Sequence, residues 1–166
     1  MPTNLTTGEF LRAVLPSTGT YFAAQLPKHQ RGFWQEPCDT IRDLALAVRS
    51  YDGNQIDSYF AVQSYLTPNN RRRDNVALIR SIWTDIDVGK KDAYPDLKRA
   101  GLALNRFCKD AGIPIPTVLV KSGYGLHVYW TLTRDLTPEG WHPLAARLQA
   151  LEHHYHLLAD HSVTIR

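Results

Sequence analysis

The sequence predicts an α+β fold: a split βαβ sheet of the ferredoxin-like (RRM-like) kind over residues 76–166, packed with an N-terminal α+β layer over residues 1–75, the whole forming one domain, 1–166. Three observations predict it. Apolar and polar residues alternate at 81–88 and 126–132, the period of half-buried strands, and 117–121 reads as a further strand between them. Apolar residues recur at helical spacing over 95–111 and again after Thr137. The order that results, β-α-β-β-α-β with a last strand over 159–166, is that of a sandwich in which both helices cover one sheet face and leave the other open. Its first and third strands are antiparallel neighbours at the sheet centre.

The N-terminal layer is read element by element. Phe10, Leu11, Val14 and Leu15 predict a short helix over 7–15, closed by Pro16. Residues 18–26 read as a strand, and 27–37 as a loop carrying Lys28, His29, Arg31 and Trp34. A helix begins at Asp39, with Ile41, Leu44, Ala45 and Val48 on one stripe and Asp52-Gly53 as its stop. The alternation of 55–66 predicts one long strand, and T-P-N-N-R-R-R-D-N a polar loop after it.

In the second half, the strand S-I-W-T-D-I-D-V puts Ile82, Ile86 and Val88 on one face and Trp83, Asp85 and Asp87 on the other. The next helix carries Leu97, Gly101, Leu104, Cys108 and Ala111 along one stripe and ends at Gly112 and Pro114. On the third strand, His127, Tyr129 and Thr131 share a face opposite Leu126, Val128, Trp130 and Leu132. The last helix is capped by Thr137 and presents Trp141, Leu144, Ala145, Leu148, Leu151, Tyr155 and Leu158. With the first and third strands adjacent, Asp85 and Asp87 lie beside His127 on the open face.

Composition narrows the class of function. At 166 residues, with 43% hydrophobic and 21% charged residues, the chain can bury a sizeable core and is not disordered. Cys38 and Cys108 have neither zinc-ribbon nor disulfide-framework spacing, which fits a reduced, cytoplasmic setting. No signal peptide or membrane-spanning run is evident, so no membrane partner is expected. A net charge of +3 is mild, but Arg71, Arg72 and Arg73 concentrate it locally and permit a polyanion.

The chemistry starts from Asp85 and Asp87. Two carboxylates one pleat apart repel, and Asp is disfavoured inside strands, so the pair calls for a cation; a solvated strand end with Lys90 and Lys91 as counter-ions is the plainer alternative. Next, Lys121-Ser122-Gly123-Tyr124-Gly125-Leu126-His127 offers a tight turn with positive φ at the glycines, bare amides, and donors from Lys121, Ser122 and His127 suited to phosphate oxygens. An ordinary glycine-rich hairpin reads the same way. Asp160, after the last helix, enters a fourth strand beside the first and brings a third carboxylate. Three carboxylates holding two divalent ions, with phosphate donors nearby, suit nucleotidyl transfer.

The ordered set D-I-D, S-G-Y-G-L-H-V-Y-W and A-D resembles the three motifs of the archaeo-eukaryotic primase superfamily, in particular the primase-polymerases of plasmids, phages and mobile elements. The resemblance spans roughly residues 59–160, the middle motif being its most specific part. It implies a DNA primase/polymerase core working from NTP or dNTP on a single-stranded DNA template. Asp85, Asp87 and Asp160 would ligate Mg²⁺ or Mn²⁺, and Ser122 and His127 would contact the nucleotide's phosphates, with Lys121, Gly123 and Gly125 in the same turn. Arg71, Arg72 and Arg73 would meet template or triphosphate. Such proteins usually continue past the third motif with a basic R-x-P-G-T-like stretch and further helices, whereas this sequence stops at Arg166. A helicase domain or protein is the partner that would lie outside it.

Two rivals come from other classes. His154-Tyr155-His156 evokes the paired histidines of rolling-circle nucleases, but it falls in a well-patterned helix on which His153, His154 and His156 do not share a face. A non-catalytic split-sheet module, or an inactive primase-like protein acting through a partner, would instead stack nucleic acid on Tyr129 and Trp83 beside basic loops. Carboxylates at the centre of such a face would repel phosphate unless metal-bound.

Overall fold

The computed structural model describes residues 4–26, 32–54 and 56–160. Four helices and two sheets alternate along it: α1 (Thr7–Val14), β1 (Tyr21–Leu26), β2 (Trp34–Cys38), α2 (Ile41–Gly53), β3 (Asp57–Phe60), β4 (Gln63–Tyr65), a 3-10 turn (Arg73–Asn75), β5 (Val76–Asp87), α3 (Leu97–Asp110), β6 (Val118–Lys121), β7 (Gly125–Leu136) and α4 (Pro138–His154). One sheet has the order β2-β1-β3, the other β4-β5-β7-β6. The chain forms two compact units, one of residues up to Arg80 with 133–138, the other of 81–132 with 139–160 among the described residues.

In the first unit, local chemistry starts each helix. Thr6 caps α1 with a full capping box: its hydroxyl oxygen accepts from the Glu9 amide, and the Glu9 carboxylate accepts from the Thr6 amide. Thr40 caps α2 by accepting from the Asp43 amide. Leu11 and Val14 of α1, Leu44 of α2 and Ala23 of β1 are buried, and Phe10 meets Phe60 edge to face at 5.6 Å. Arg80 pairs with Asp135 at 2.7 Å, and Asp135 also accepts from the Ser17 amide.

Two elements of this unit differ from the sequence reading. The stretch 27–37, expected to be loop, contains strand β2; Glu36 and Pro37 disguised it, and Pro is tolerated because β2 is an edge strand. Lys28, His29 and Arg31 lie outside the described residues. The long strand expected over 55–66 is two strands in two sheets: β3 pairs with β1, and after Ala61-Val62 the chain re-enters as β4 against β5. Alternation of side chains reports a strand's faces but not its partners, so the change of sheet left no trace in the pattern.

The second unit is built as the split βαβ order requires. The first and third strands of that half, β5 and β7, are neighbours, and β6 pairs antiparallel with β7 from Val118↔Tyr129 to Lys121↔Leu126. Ile86, Leu126 and Val128 of the strands pack with Ala100, Leu104, Phe107 and Cys108 of α3 and Leu148 of α4. Asp96 caps α3 by accepting from the Arg99 amide. Trp141 of α4 is buried, donates its ring N–H to the Ser81 carbonyl at 2.8 Å and packs against Trp83 at 5.0 Å. The stripe expected on α4 is only partly interior: Leu144, Tyr155 and Leu158 are exposed, while the acid Glu152 is buried. The fourth strand, expected over 159–166, falls mostly outside the described residues. Both cysteines are free and buried, and burial pushes their thiols up. Among the described residues, no helix is long and apolar enough to cross a membrane.

Candidate active site

Strands β5 and β7 position the site in the second unit. Alternation along β5 buries Ile86 in the core and leaves Asp85 and Asp87, on either side of it, partly exposed. On β7, Leu126 and Val128 turn into the core and His127 turns outward. His127 Nε2 lies 3.4 Å from Asp85 Oδ1, so the two separately read strands do bring their polar residues together. Asp87 Oδ1 is engaged by Lys90 Nζ at 2.8 Å. Asp160 follows α4 and donates its backbone N–H to the Asp85 carbonyl at 2.7 Å, which brings the last described residue onto the edge of β5.

The electrostatics are those of a crowded acidic site. Burial, then the charges of Asp87 and Asp160, push the Asp85 carboxyl above its ordinary range, and His127 and Lys90 oppose the rise. Hydrogen bonding to Asp87 holds the Lys90 ammonium above its usual value, with the charges of Asp85 and Asp160 adding to it. The Tyr129 hydroxyl is pushed well up, first by burial and then by Asp85. Tyr129 and Trp83 do not offer the stacking surface expected of them: Tyr129 is buried, and Trp83 packs on Trp141.

The glycine turn is present, but its two glycines act differently. Gly123 has φ +83°, as a tight turn requires, whereas Gly125 has no positive φ, contrary to expectation. Gly125 is needed because β7 starts hard against β5: a Cβ there would lie 2.2 Å from the Ile86 carbonyl oxygen and 3.1 Å from the Asp87 Cα. Ser122 donates its amide to the Gly125 carbonyl at 3.1 Å, and Val88 donates to the Tyr124 carbonyl at 2.9 Å, which ties the turn to the end of β5. Lys121 and Tyr124 are exposed, and Ser122 is half-buried.

Arg71, Arg72 and Arg73 belong to the first unit, where Arg71 Nε donates to Gln35 Oε1 at 2.6 Å. Sequence reasoning missed Glu152. Together with Thr84, Trp83 and Asp160, this buried carboxylate lines a small cavity, and Thr84 Oγ1 is buried there with no hydrogen-bond partner among the described residues. The signal was available: Glu152 follows Leu148 by one helical turn on the buried face of α4.

The donor set suits a hard divalent cation. Asp85, Asp87 and Asp160 carry the oxygen donors that hard divalent cations prefer. As the side chains stand, no group of three or more His, Cys, Asp or Glu among the described residues is arranged to hold one ion. Asp87 is turned to Lys90, and Asp85 to His127.

These two sheets and four helices form a fold also seen in a solved primase-polymerase domain. A solved structure similar to it is that of the cyanophage S-2L primase-polymerase (PrimPol), in its AEP (archaeo-eukaryotic primase) domain: TM-score 0.62 at 20% sequence identity, covering 88% of this chain and 71% of that one. No family model matches the chain, and no curated protein matches it in sequence.

Proposed function

We propose that this chain is the catalytic core of a DNA primase/polymerase, joining nucleotides from NTP or dNTP on a single-stranded DNA template in the replication of a plasmid, phage or mobile element. The observation that supports the proposal is the approach of His127 to Asp85 across β7 and β5, with Asp87 one pleat along and Asp160 bonded to the Asp85 backbone, on a fold shared with a primase-polymerase domain. Asp85, Asp87 and Asp160 would hold two divalent ions, Mg²⁺ or Mn²⁺, which when bound lower the pKa of an attacking hydroxyl and stabilise a leaving pyrophosphate.

The chain's own residues do the rest. His127 and the donors of the turn, the Ser122 hydroxyl and the exposed Gly123 backbone, are the hydrogen-bond partners for the triphosphate, whereas Lys121, expected beside them, pairs with Leu126 and leaves β6 on the face away from His127. Lys90 neutralises Asp87 in the unliganded state and would release it to an ion by moving a flexible, exposed side chain. The short contact between β5 and β7 at Gly125 holds His127 beside Asp85, so the phosphate donors and the carboxylates share one frame. In the first unit, Arg71, Arg72 and Arg73 would add positive charge for the template strand.

The deciding experiment is incorporation of labelled nucleotides on a single-stranded DNA template with Mg²⁺ or Mn²⁺, comparing the parent with Asp85→Ala/Asp87→Ala. Metal-dependent product from the parent alone is expected. If neither makes product while both remain folded and bind nucleotide, this chain is not itself a polymerase. The remaining reading is then a primase-like domain acting through a partner protein.

A further inference from the structure

The three-stranded sheet of the first unit has two unlike faces. Residues opposite one another across the strands share a face, so Glu36, Ala23 and Phe60 form a row on one side and Gln35, Ala24 and Tyr59 a row on the other. The first face is covered by helices, since Phe60 meets Phe10 of α1 and Tyr51 of α2 donates its hydroxyl to Glu36. On the second face, Phe33 just before β2 and Tyr59 on β3 meet edge to face at 5.0 Å and 89°. Both rings are well exposed, Phe33 at 47% and Tyr59 at 42%. Phe33, two residues before Gln35, lies on this face one row along, level with Leu26, so the rings meet diagonally across β1 beside the small Ala24. The edge-to-face arrangement braces them without covering both faces of each.

Positive charge is fixed at the same face. Gln35, in the row of Tyr59, accepts from Arg71 Nε at 2.6 Å, and Arg72 follows exposed at the surface. The loop 67–75 carries three arginines against one aspartate. Asp57, paired with Leu26, is exposed and acidic and stands level with Phe33 on this face, so the phosphates of a bound polyanion would lie at the Tyr59 and Arg71 end.

We infer that Phe33, Tyr59 and Arg71 form a base-stacking platform for single-stranded DNA. The choice of DNA as occupant rests on the primase-polymerase reading above. Two braced rings beside a held guanidinium match what an unpaired strand offers, π faces at the bases and charge at the phosphates. The platform would also explain why this face carries exposed aromatic side chains on a sheet whose other face is packed.

The experiment measures binding of a labelled oligothymidylate to the whole chain by fluorescence anisotropy, alongside nucleotide incorporation at limiting template. Phe33→Ala/Tyr59→Ala should weaken binding roughly tenfold or more, the scale of losing one or two stacked bases. Arg71→Gln should flatten the dependence of log K on log salt by about 0.7, one phosphate's share for a single strand. If the double alanine variant fails to fold, Phe33→Leu/Tyr59→Leu keeps apolar bulk without a π face and should still lose affinity. Unchanged affinity in a folded Phe33→Ala/Tyr59→Ala variant overturns the inference, as does a parent that binds no oligothymidylate. A parent that binds through Phe33 and Tyr59 but incorporates no nucleotide leaves the platform standing and removes the polymerase reading. A parent that incorporates nucleotides as well as its Phe33→Ala/Tyr59→Ala variant does at limiting template has the reverse meaning.

Discussion

The ends of β5 and β7 and the Phe33–Tyr59 side of β2-β1-β3 are both partly exposed surfaces on sheets, yet they are held in opposite ways. At the first, backbone meets backbone: Gly125 admits no side chain against the Ile86 carbonyl, and Asp160 is tied to β5 through its own amide. At the second, side chains brace side chains, with Phe33 against Tyr59 and Arg71 against Gln35. A main-chain frame suits chemistry that fails when atoms are displaced by an ångström, whereas a side-chain frame can adjust to any base in a passing strand.

Substitutions at the two places break this comparison in different readouts. The largest effect expected is on activity: Asp85→Ala/Asp87→Ala should cost on the order of a thousandfold in nucleotide incorporation, the several kcal/mol that bound divalent ions supply. The next is on stability. Gly125→Ala places a methyl against backbone that cannot rotate away, and should lower unfolding free energy by about 2–3 kcal/mol in a denaturant titration. His127→Ala sharpens the comparison by touching the site without touching its frame. It should weaken nucleotide binding about tenfold, roughly the 1.4 kcal/mol of a charge-assisted hydrogen bond, with little change in the unfolding midpoint; unchanged nucleotide affinity would sink its assignment to phosphate.

A smaller effect concerns Asp85 alone. Its carboxyl is held above the ordinary value of 3.8, so the fold disfavours the ionised form and stability falls as pH rises through the carboxylate range. Asp85→Asn removes that loss. The variant should melt above the parent at neutral pH, and the gap should close below the ordinary value, where the carboxyl is protonated in both folded and unfolded states. Thr6→Ala, in the first unit, removes a cap that no site depends on and should cost about 1 kcal/mol with no effect on nucleotide binding.

Much of the candidate site was legible because it depends on short-range pattern. Asp85, Ile86 and Asp87 alternate between the two sides of one strand, and Leu126, His127 and Val128 do so on another; a period of two needs no knowledge of partners. The βαββαβ order then made those strands neighbours. What stayed hidden was set by groups distant in sequence. Tyr129 is on the same side of β7 as His127 by alternation, yet it is buried. Trp83 was read as an open-face ring, but Trp141 of α4 claims it.

The sequence by itself therefore determined the four helices and the sidedness of β5 and β7, because apolar recurrence along a helix and alternation along a strand act over a few residues. Only the tertiary structure decided that 55–66 divides between two sheets, that Gly125 is required by a neighbouring backbone rather than by its own φ, and that Phe33 and Tyr59 meet across β1. Those outcomes depend on which strands pair and in what register, a choice made by packing over the whole unit.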